Sequence, residues 1–212
     1  MTENKKKYLK EMGIDIWQDK NKKEGAEPVE KNLGEIKKRA LACKLCALHK
    51  TRNNVVFGVG DEKAQIMFIG EAPGANEDLQ GEPFVGRAGM LLNSIIKSIG
   101  LERSDIYIAN ILKCRPPDNR DPNAEEIKLC TPYLKEQISA IKPKILIAVG
   151  RVAAQHLLNT KESMANLRGK TYQYGEENTP LMVTYHPAYL LRSPGEKKKV
   201  YGDLLMIQKA IK

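Results

Sequence analysis

The stretch from Gly70 to Gly89 concentrates groups that can do chemistry. It holds carboxylates at Glu71, Glu77, Asp78 and Glu82 and one aromatic ring at Phe84. Five glycines and two prolines predict a loop with no regular element. Carboxylates near a reacting carbon transfer protons or stabilise positive charge, and a lone ring offers a stacking face to a planar ligand. Two more such groups lie downstream. Asn110 carries an amide that both donates and accepts, and His186 opens the run His186-Pro187-Ala188-Tyr189-Leu190-Leu191-Arg192. A third set is the cysteines, Cys43, Cys46, Cys114 and Cys130, spaced C-x2-C, then 67 residues, then C-x15-C. In a reducing compartment stable disulfides are not expected, and the spacing fits one four-thiolate site built from distant segments. Zinc and an iron–sulfur cluster both accept four thiolates, although the second pair is too open for the paired knuckles of a zinc ribbon. Four ordinary buried cysteines also fit the spacing.

These residues need elements to bring them together. Ile66-Met67-Phe68-Ile69 reads as a buried strand within 65–69 that feeds the glycine-rich run. Further strands are predicted at 106–112, 144–149 and 181–185. Helices are predicted at 33–43, 87–99, 123–141, 151–158 and 196–211. Asn123 is the cap of the third of these, with Glu126 placed to return the bond. Strands alternating with helices predict a three-layer α/β/α sandwich around a four-stranded parallel sheet. In such a sheet the segments after the strands share one edge. Glu71 to Phe84, Asn110 to Arg115, Gly150-Arg151 and His186-Pro187 therefore converge on one cleft.

Composition bounds the rest. The chain has 212 residues, 42% of them hydrophobic, which suits one domain with a real core. No apolar stretch nears the roughly 20 residues of a membrane span, and no apolar segment follows the lysine-rich start, so a cytoplasmic protein is expected. Residues 1–31 form a polar extension, expected to be mobile apart from a short docked element around Ile14, Ile16 and Trp17; the domain proper is 32–212. Net charge is +9, and residues 1–31 carry eight lysines against seven carboxylates, so the excess sits in the body. A basic body suits a polyanion such as nucleic acid, though a generic basic protein would look the same.

The run GEAPGANEDLQGEPFVGRAG, together with HPAYLLR at 186–192, closely resembles the iron–sulfur uracil-DNA glycosylases of family 4. The four cysteines match that group's cluster ligands, and the resemblance spans about residues 33–212. It implies a monofunctional enzyme that flips uracil out of DNA and hydrolyses its N-glycosidic bond, initiating base excision repair. It implies a [4Fe-4S] cluster on Cys43, Cys46, Cys114 and Cys130, structural in role. Phe84 would stack on the base, Asn110 would pair with uracil O4 and N3–H, and Glu77 would exclude the C5 methyl of thymine. The main-chain amides around Ala72 and Gly74 would hold a base carbonyl or a phosphate. His186 would hydrogen-bond uracil O2, while Glu71 would orient water or stabilise the sugar cation. Leu190, Leu191 and Arg192 would form a wedge, with Lys and Arg over 192–199 on phosphates. Two departures within the superfamily carry information. Family 1 places an aspartate where Ala72 stands, and a covalent-intermediate branch has a histidine in the region here occupied by Asn166 to Thr171, so no stable DNA adduct is expected. Family 5 lacks Glu71, whose presence implies narrow uracil specificity. Uracil-containing DNA, single- or double-stranded, is the expected partner; a sliding clamp is a candidate protein partner, and a nucleoid-associated monomer is the expected state. Outside the resemblance, the residues taken singly have plainer readings. Phe84 could be a core ring, Asn110 a turn residue, Glu77 a solvated acid and Leu190-Leu191 a capping pair. A metal-holding nucleic-acid module without catalysis would need the cysteines but not Glu71, Phe84, Asn110 and His186. A nucleotide-binding enzyme would want a phosphate-loop glycine pattern, which residues 70–89 lack.

Overall fold

Three short apolar runs, Ile66–Gly70, Tyr107–Asn110 and Ile145–Val149, are buried at every position. A strand covered on both faces has no use for polar alternation, which is why these segments read as continuous hydrophobics. In the computed structural model, which describes residues 32–210 together with Tyr8 and residues 11–13, they become β2, β3 and β4. The other strands are β1 (Val59–Gly60), β5 (Thr171–Tyr174) and β6 (Thr179–Thr184). The order is β1-β3-β2-β4-β6-β5. The central pairs β2–β3, β2–β4 and β4–β6 are parallel, and β1 and β5 join the edges antiparallel.

The expectation of a four-stranded sheet is thus corrected to a mixed sheet of six. Both missed strands lack a period. β1 is two residues long, with Gly58 just before it and Gly60 as its second residue, both at positive φ. β5 is largely exposed, as an edge strand is, and its hairpin with β6 turns through Gly175 and Asn178, again at positive φ.

The described helices are α1 (Leu33–Leu41), α2 (Ala75–Gln80), α3 (Arg87–Lys97), α4 (Ala124–Ile141), α5 (Arg151–Leu158), α6 (Met164–Leu167), α7 (Pro187–Arg192) and α8 (Lys197–Ala210). Residue parity sorts the strands between two cores. Met67 and Ile69 face one side with α1, α4, α5 and α6, whereas Ile66 and Phe68 face the other with α3, α7 and α8. At the start of α4 the Asn123 side chain accepts from Glu126 N at 2.8 Å and Glu126 returns the bond to Asn123 N at 3.0 Å, as the sequence predicts. The glycine-rich run corrects a second expectation, because α2 forms inside it. Asp78, buried within that helix, accepts from the backbone of Asn53 and Asn54 and from the Asn53 side chain, anchoring α2 from outside. The expected element around Ile14, Ile16 and Trp17, and nearly all of the N-terminal extension, lie outside the described residues. No helix among the described residues is long and apolar enough to cross a membrane.

Candidate active site

The ends of β2, β3 and β6 open on a cleft of about 580 Å³ lined by Glu71, Ala72, Gly74, Glu77, Phe84, Asn110, His186 and Arg192. Three separate segments meet there because the parallel strands all point their C-terminal ends the same way. Gly70 and Asn110 are register partners on β2 and β3. A Cβ on Gly70 would come within 2.3 Å of Asn110 Oδ1 and 2.8 Å of Phe84 Cζ. The missing side chain is therefore the space in which amide and ring come together.

Phe84 holds a left-handed backbone conformation, φ 53°, rare for a residue with a side chain. Such strain costs of order 1–3 kcal/mol and persists only where surroundings impose it. Here three groups do so. Glu77 Oε1 accepts from Val85 N at 2.9 Å and Gly86 N at 3.0 Å. Arg103 donates to the carbonyls of Pro83 and Phe84. Gly89 brings α3 so close that a Cβ there would lie 1.9 Å from the Phe84 carbonyl oxygen. The fixed ring stands 5.5 Å, centroid to centroid, from the His186 imidazole, tilted by 30°.

The electrostatics divide the polar groups. Asn110 is 2% exposed and its Oδ1 is buried without a hydrogen-bond partner. An unmade bond on a buried acceptor costs about 1–3 kcal/mol, so this atom is set up to meet a donor. Burial, reinforced by Arg192, pulls His186 down to about 4, leaving the ring neutral at physiological pH. Its Nδ1 accepts from Ala188 N at 3.1 Å as the cap of α7, which assigns the proton to Nε2. Gly150 makes room for it, since a Cβ there would meet His186 Cβ at 2.9 Å. Below the histidine, Thr184 donates to Asp203 at 2.8 Å and Arg168 closes a buried ion pair with the same carboxylate at 2.7 Å, bracing the end of β6. Glu71 is pushed up to about 7, chiefly by burial and then by Asp121, against the opposing pull of Arg151.

The sequence places Glu71, Ala72, Gly74, Glu77, Phe84, Asn110, His186 and Arg192 around one space, and all line the cleft. The two leucines of the expected wedge differ in exposure. Leu190 is wholly buried in the core with residues of α3 and α8, while Leu191 is 39% exposed. Tyr189, whose ring packs against that of Tyr185 at 5.0 Å with a tilt of 47°, also lines the cleft. Asn119, Arg120 and Asp121 complete its far wall and Arg103 braces it from outside. Asn119, Arg120 and Asp121 lie far along the connection from β3 to α4, and Arg103 precedes β3, so strand ends alone do not pick them out.

The cysteines gather elsewhere. Cys43, Cys46, Cys114 and Cys130 line one small cavity together with Arg52, Lys113 and Tyr133. Arg52 Nη1 lies 3.0 Å from Cys114 Sγ, and Lys113 N lies 3.3 Å from Cys130 Sγ. Burial pushes the Cys130 thiol up to about 11 and raises Cys114 as well, while the neighbouring cations pull both the other way. Among the described residues no group of three or more His, Cys, Asp or Glu side chains is gathered to hold a single metal ion.

Comparison with known proteins adds to this geometry. The family model described as the uracil DNA glycosylase superfamily matches residues 57–205. The type-4 uracil-DNA glycosylase of Archaeoglobus fulgidus is 44% identical over 182 residues, 83% of this chain and 92% of its own. That of Saccharolobus solfataricus is 46% identical over 187 residues, 85% of this chain and 87% of its own. A type-5 uracil-DNA glycosylase of Pyrobaculum aerophilum is 29% identical, covering 62% of this chain and 64% of its own.

Proposed function

The chain belongs to the type-4 enzymes of the uracil-DNA glycosylase superfamily, and from that premise we propose how its own residues remove uracil from DNA. It is a DNA glycosylase, a hydrolase of the bond between base and deoxyribose, with its catalytic domain over 32–212. The observation that carries the assignment of roles is the partnerless Oδ1 of Asn110 beside the fixed ring of Phe84. Uracil offers N3–H to that oxygen and O4 to the amide N–H, whereas cytosine offers a bare acceptor and a donor in those places and leaves both groups mismatched. The flipped base stacks on Phe84, and the side chain of Glu77 faces C5, leaving room for its hydrogen and none for the methyl of thymine.

Cleavage breaks the C1′–N1 bond, and its electron pair moves onto the uracil ring. The neutral His186 donates from Nε2 to uracil O2 as that oxygen gains charge, which makes the base a better leaving group. The sugar acquires positive charge, and ionised Glu71 faces it. A water hydrogen-bonded to Glu71 forms the new C1′–O bond, and its proton passes to the carboxylate, for which a pKa of about 7 is well matched. Ala72 and Gly74 offer backbone amides to a carbonyl or a phosphate. Leu191 is the apolar side chain that can fill the gap left in the stack, with Arg192 beside it on phosphate.

The cysteine cavity suits an iron–sulfur group. Four sulfur donors surround a shared space, and Arg52 and the Lys113 amide direct N–H groups at two of them. Cys43, Cys46, Cys114 and Cys130 would hold a [4Fe-4S] cluster, which when bound supplies a crosslink between three distant segments.

A labelled oligonucleotide with one uracil, incubated with the enzyme and then heated in alkali, tests the reading. Strand breakage at uracil, absent with cytosine or thymine in its place, is the expected result. No breakage by iron-loaded enzyme would overturn it.

A further inference from the structure

We propose that Lys113 is a positioning residue that ties the cysteine cavity to the base-reading Asn110, an inference that rests on the roles given above to Asn110 and the cysteines. Lys113 is 2% exposed, a burial that lysine reaches only when its charge is answered. Its backbone and its side chain point in different directions. The backbone N–H goes to Cys130 Sγ at 3.3 Å, and the carbonyl accepts from Val56 N at 2.8 Å. The side chain folds back, and Nζ donates to the Asn110 carbonyl at 2.7 Å and to Gln137 Oε1 at 2.6 Å.

Past Asn110 the chain still follows β2, with Ile111 N and Leu112 N donating to the carbonyls of Gly70 and Glu71 at 3.0 Å each, and it bends at Lys113. In an ordinary reversal of four residues the N–H of the last closes on the carbonyl of the first. Here that N–H is given to sulfur, and the ammonium of the same residue bonds the Asn110 carbonyl instead. One residue thus bonds a cluster-ligand sulfur at its backbone and the uracil-reading residue at its tip. The remaining contacts fix the tip. Gln137, fully buried on α4, also donates to the Phe57 carbonyl at 2.9 Å and to Tyr107 Oη at 3.3 Å, so the acceptor that orients Nζ is itself held. The peptide unit after Asn110 is held on one side by Ile111 N, which donates to the Gly70 carbonyl at 3.0 Å, and on the other by Lys113 Nζ, a bond that originates beside the cavity.

The test compares wild type, Asn110→Ala, Lys113→Met and Gln137→Met as iron-loaded full-length protein. The measurement is affinity for a duplex containing one 2′-fluoro-2′-deoxyuridine, which resists cleavage, against the same duplex with thymidine. Iron content and Tm are recorded beside it. Lys113→Met is expected to keep its iron and lose about tenfold of the uracil preference, the scale of a charge-assisted hydrogen bond. Gln137→Met should lose a smaller part with iron retained. Wild-type preference in both variants overturns the proposal, and so does iron loss in both, since the pair would then serve the cavity alone. If Lys113→Met does not fold, Gln137→Met decides on the same criterion. Asn110→Ala separates the two levels: undiminished preference there would sink the reading of Asn110 itself. Loss in Asn110→Ala with none in the other two would sink only the role of Lys113.

Discussion

The cleft at the strand ends and the cavity of the cysteines are built on opposite principles. In the cleft, hydrogen-bonding capacity is left unmade: Asn110 Oδ1 has no partner, His186 turns a free N–H outward, and Phe84 sits in a backbone conformation it would not choose. In the cavity, N–H groups already point at Cys114 and Cys130, and burial acts on the thiols themselves. On the roles proposed, the unmet capacity is the surface that would receive the base, and the met capacity is the brace that would hold it. The two regions are only four residues apart in sequence, between Asn110 and Cys114.

This contrast can be broken in a graded way. His186→Leu removes the donor to the leaving group, and single-turnover excision should fall about 10²–10³-fold while Tm and iron content stay at wild-type values. A comparable loss of Tm would make the histidine a structural member instead. Glu71→Gln should cost about 10²-fold at neutral pH. Because only the ionised carboxylate can take a proton, wild-type excision should rise with pH through about 7 and then level off. The glutamine variant should show a flat profile between pH 5 and 9. His186, neutral above about 4, should add no limb in that range.

Glu77→Ala releases Val85 and Gly86 from their shared acceptor. Uracil-specific binding should weaken about tenfold, the effect of losing two charge-assisted bonds that hold Phe84. Glu77→Gln, which keeps an accepting oxygen, should recover most of it. The smallest catalytic effect is expected on α7. Leu191→Ala should lower excision from duplex a few-fold with Tm unchanged, whereas Leu190→Ala should destabilise by about 2–5 kcal/mol, seen as a lower denaturation midpoint. Equal Tm values for these neighbours would contradict their assignment to surface and core.

How far the sequence reveals this arrangement depends on the range of the forces involved. The runs 66–69 and 145–149 are legible because burial on both faces leaves an apolar signature within five residues. The Asn123–Glu126 cap is legible because both partners lie in one turn. Glu71, Asn110 and His186 are legible as a set, since parallel strands place their ends together. The six-residue α2 is not. It exists inside a glycine-rich run because Asn53 and Asn54 reach Asp78 across 25 and 24 positions of sequence. Arg103, which holds the Phe84 carbonyl from 19 residues away, leaves no local trace either. The burial of Leu190 beside the exposure of Leu191 depends on where α3 and α8 pass, and no helical period can be read from six residues.

The strained backbone at Phe84 also bears on how the enzyme searches. A glycosylase meets vast numbers of normal bases for each uracil. A wall that assembled only around the right base would have to form and dissolve at every inspection. Here Glu77, Arg103 and the close approach of Gly89 hold the ring in its working position before any base arrives. If Phe84 receives the base as proposed, an extruded cytosine or thymine would meet a finished surface. On the roles proposed, the wall built by Phe84 would need no rearrangement to turn such a base away.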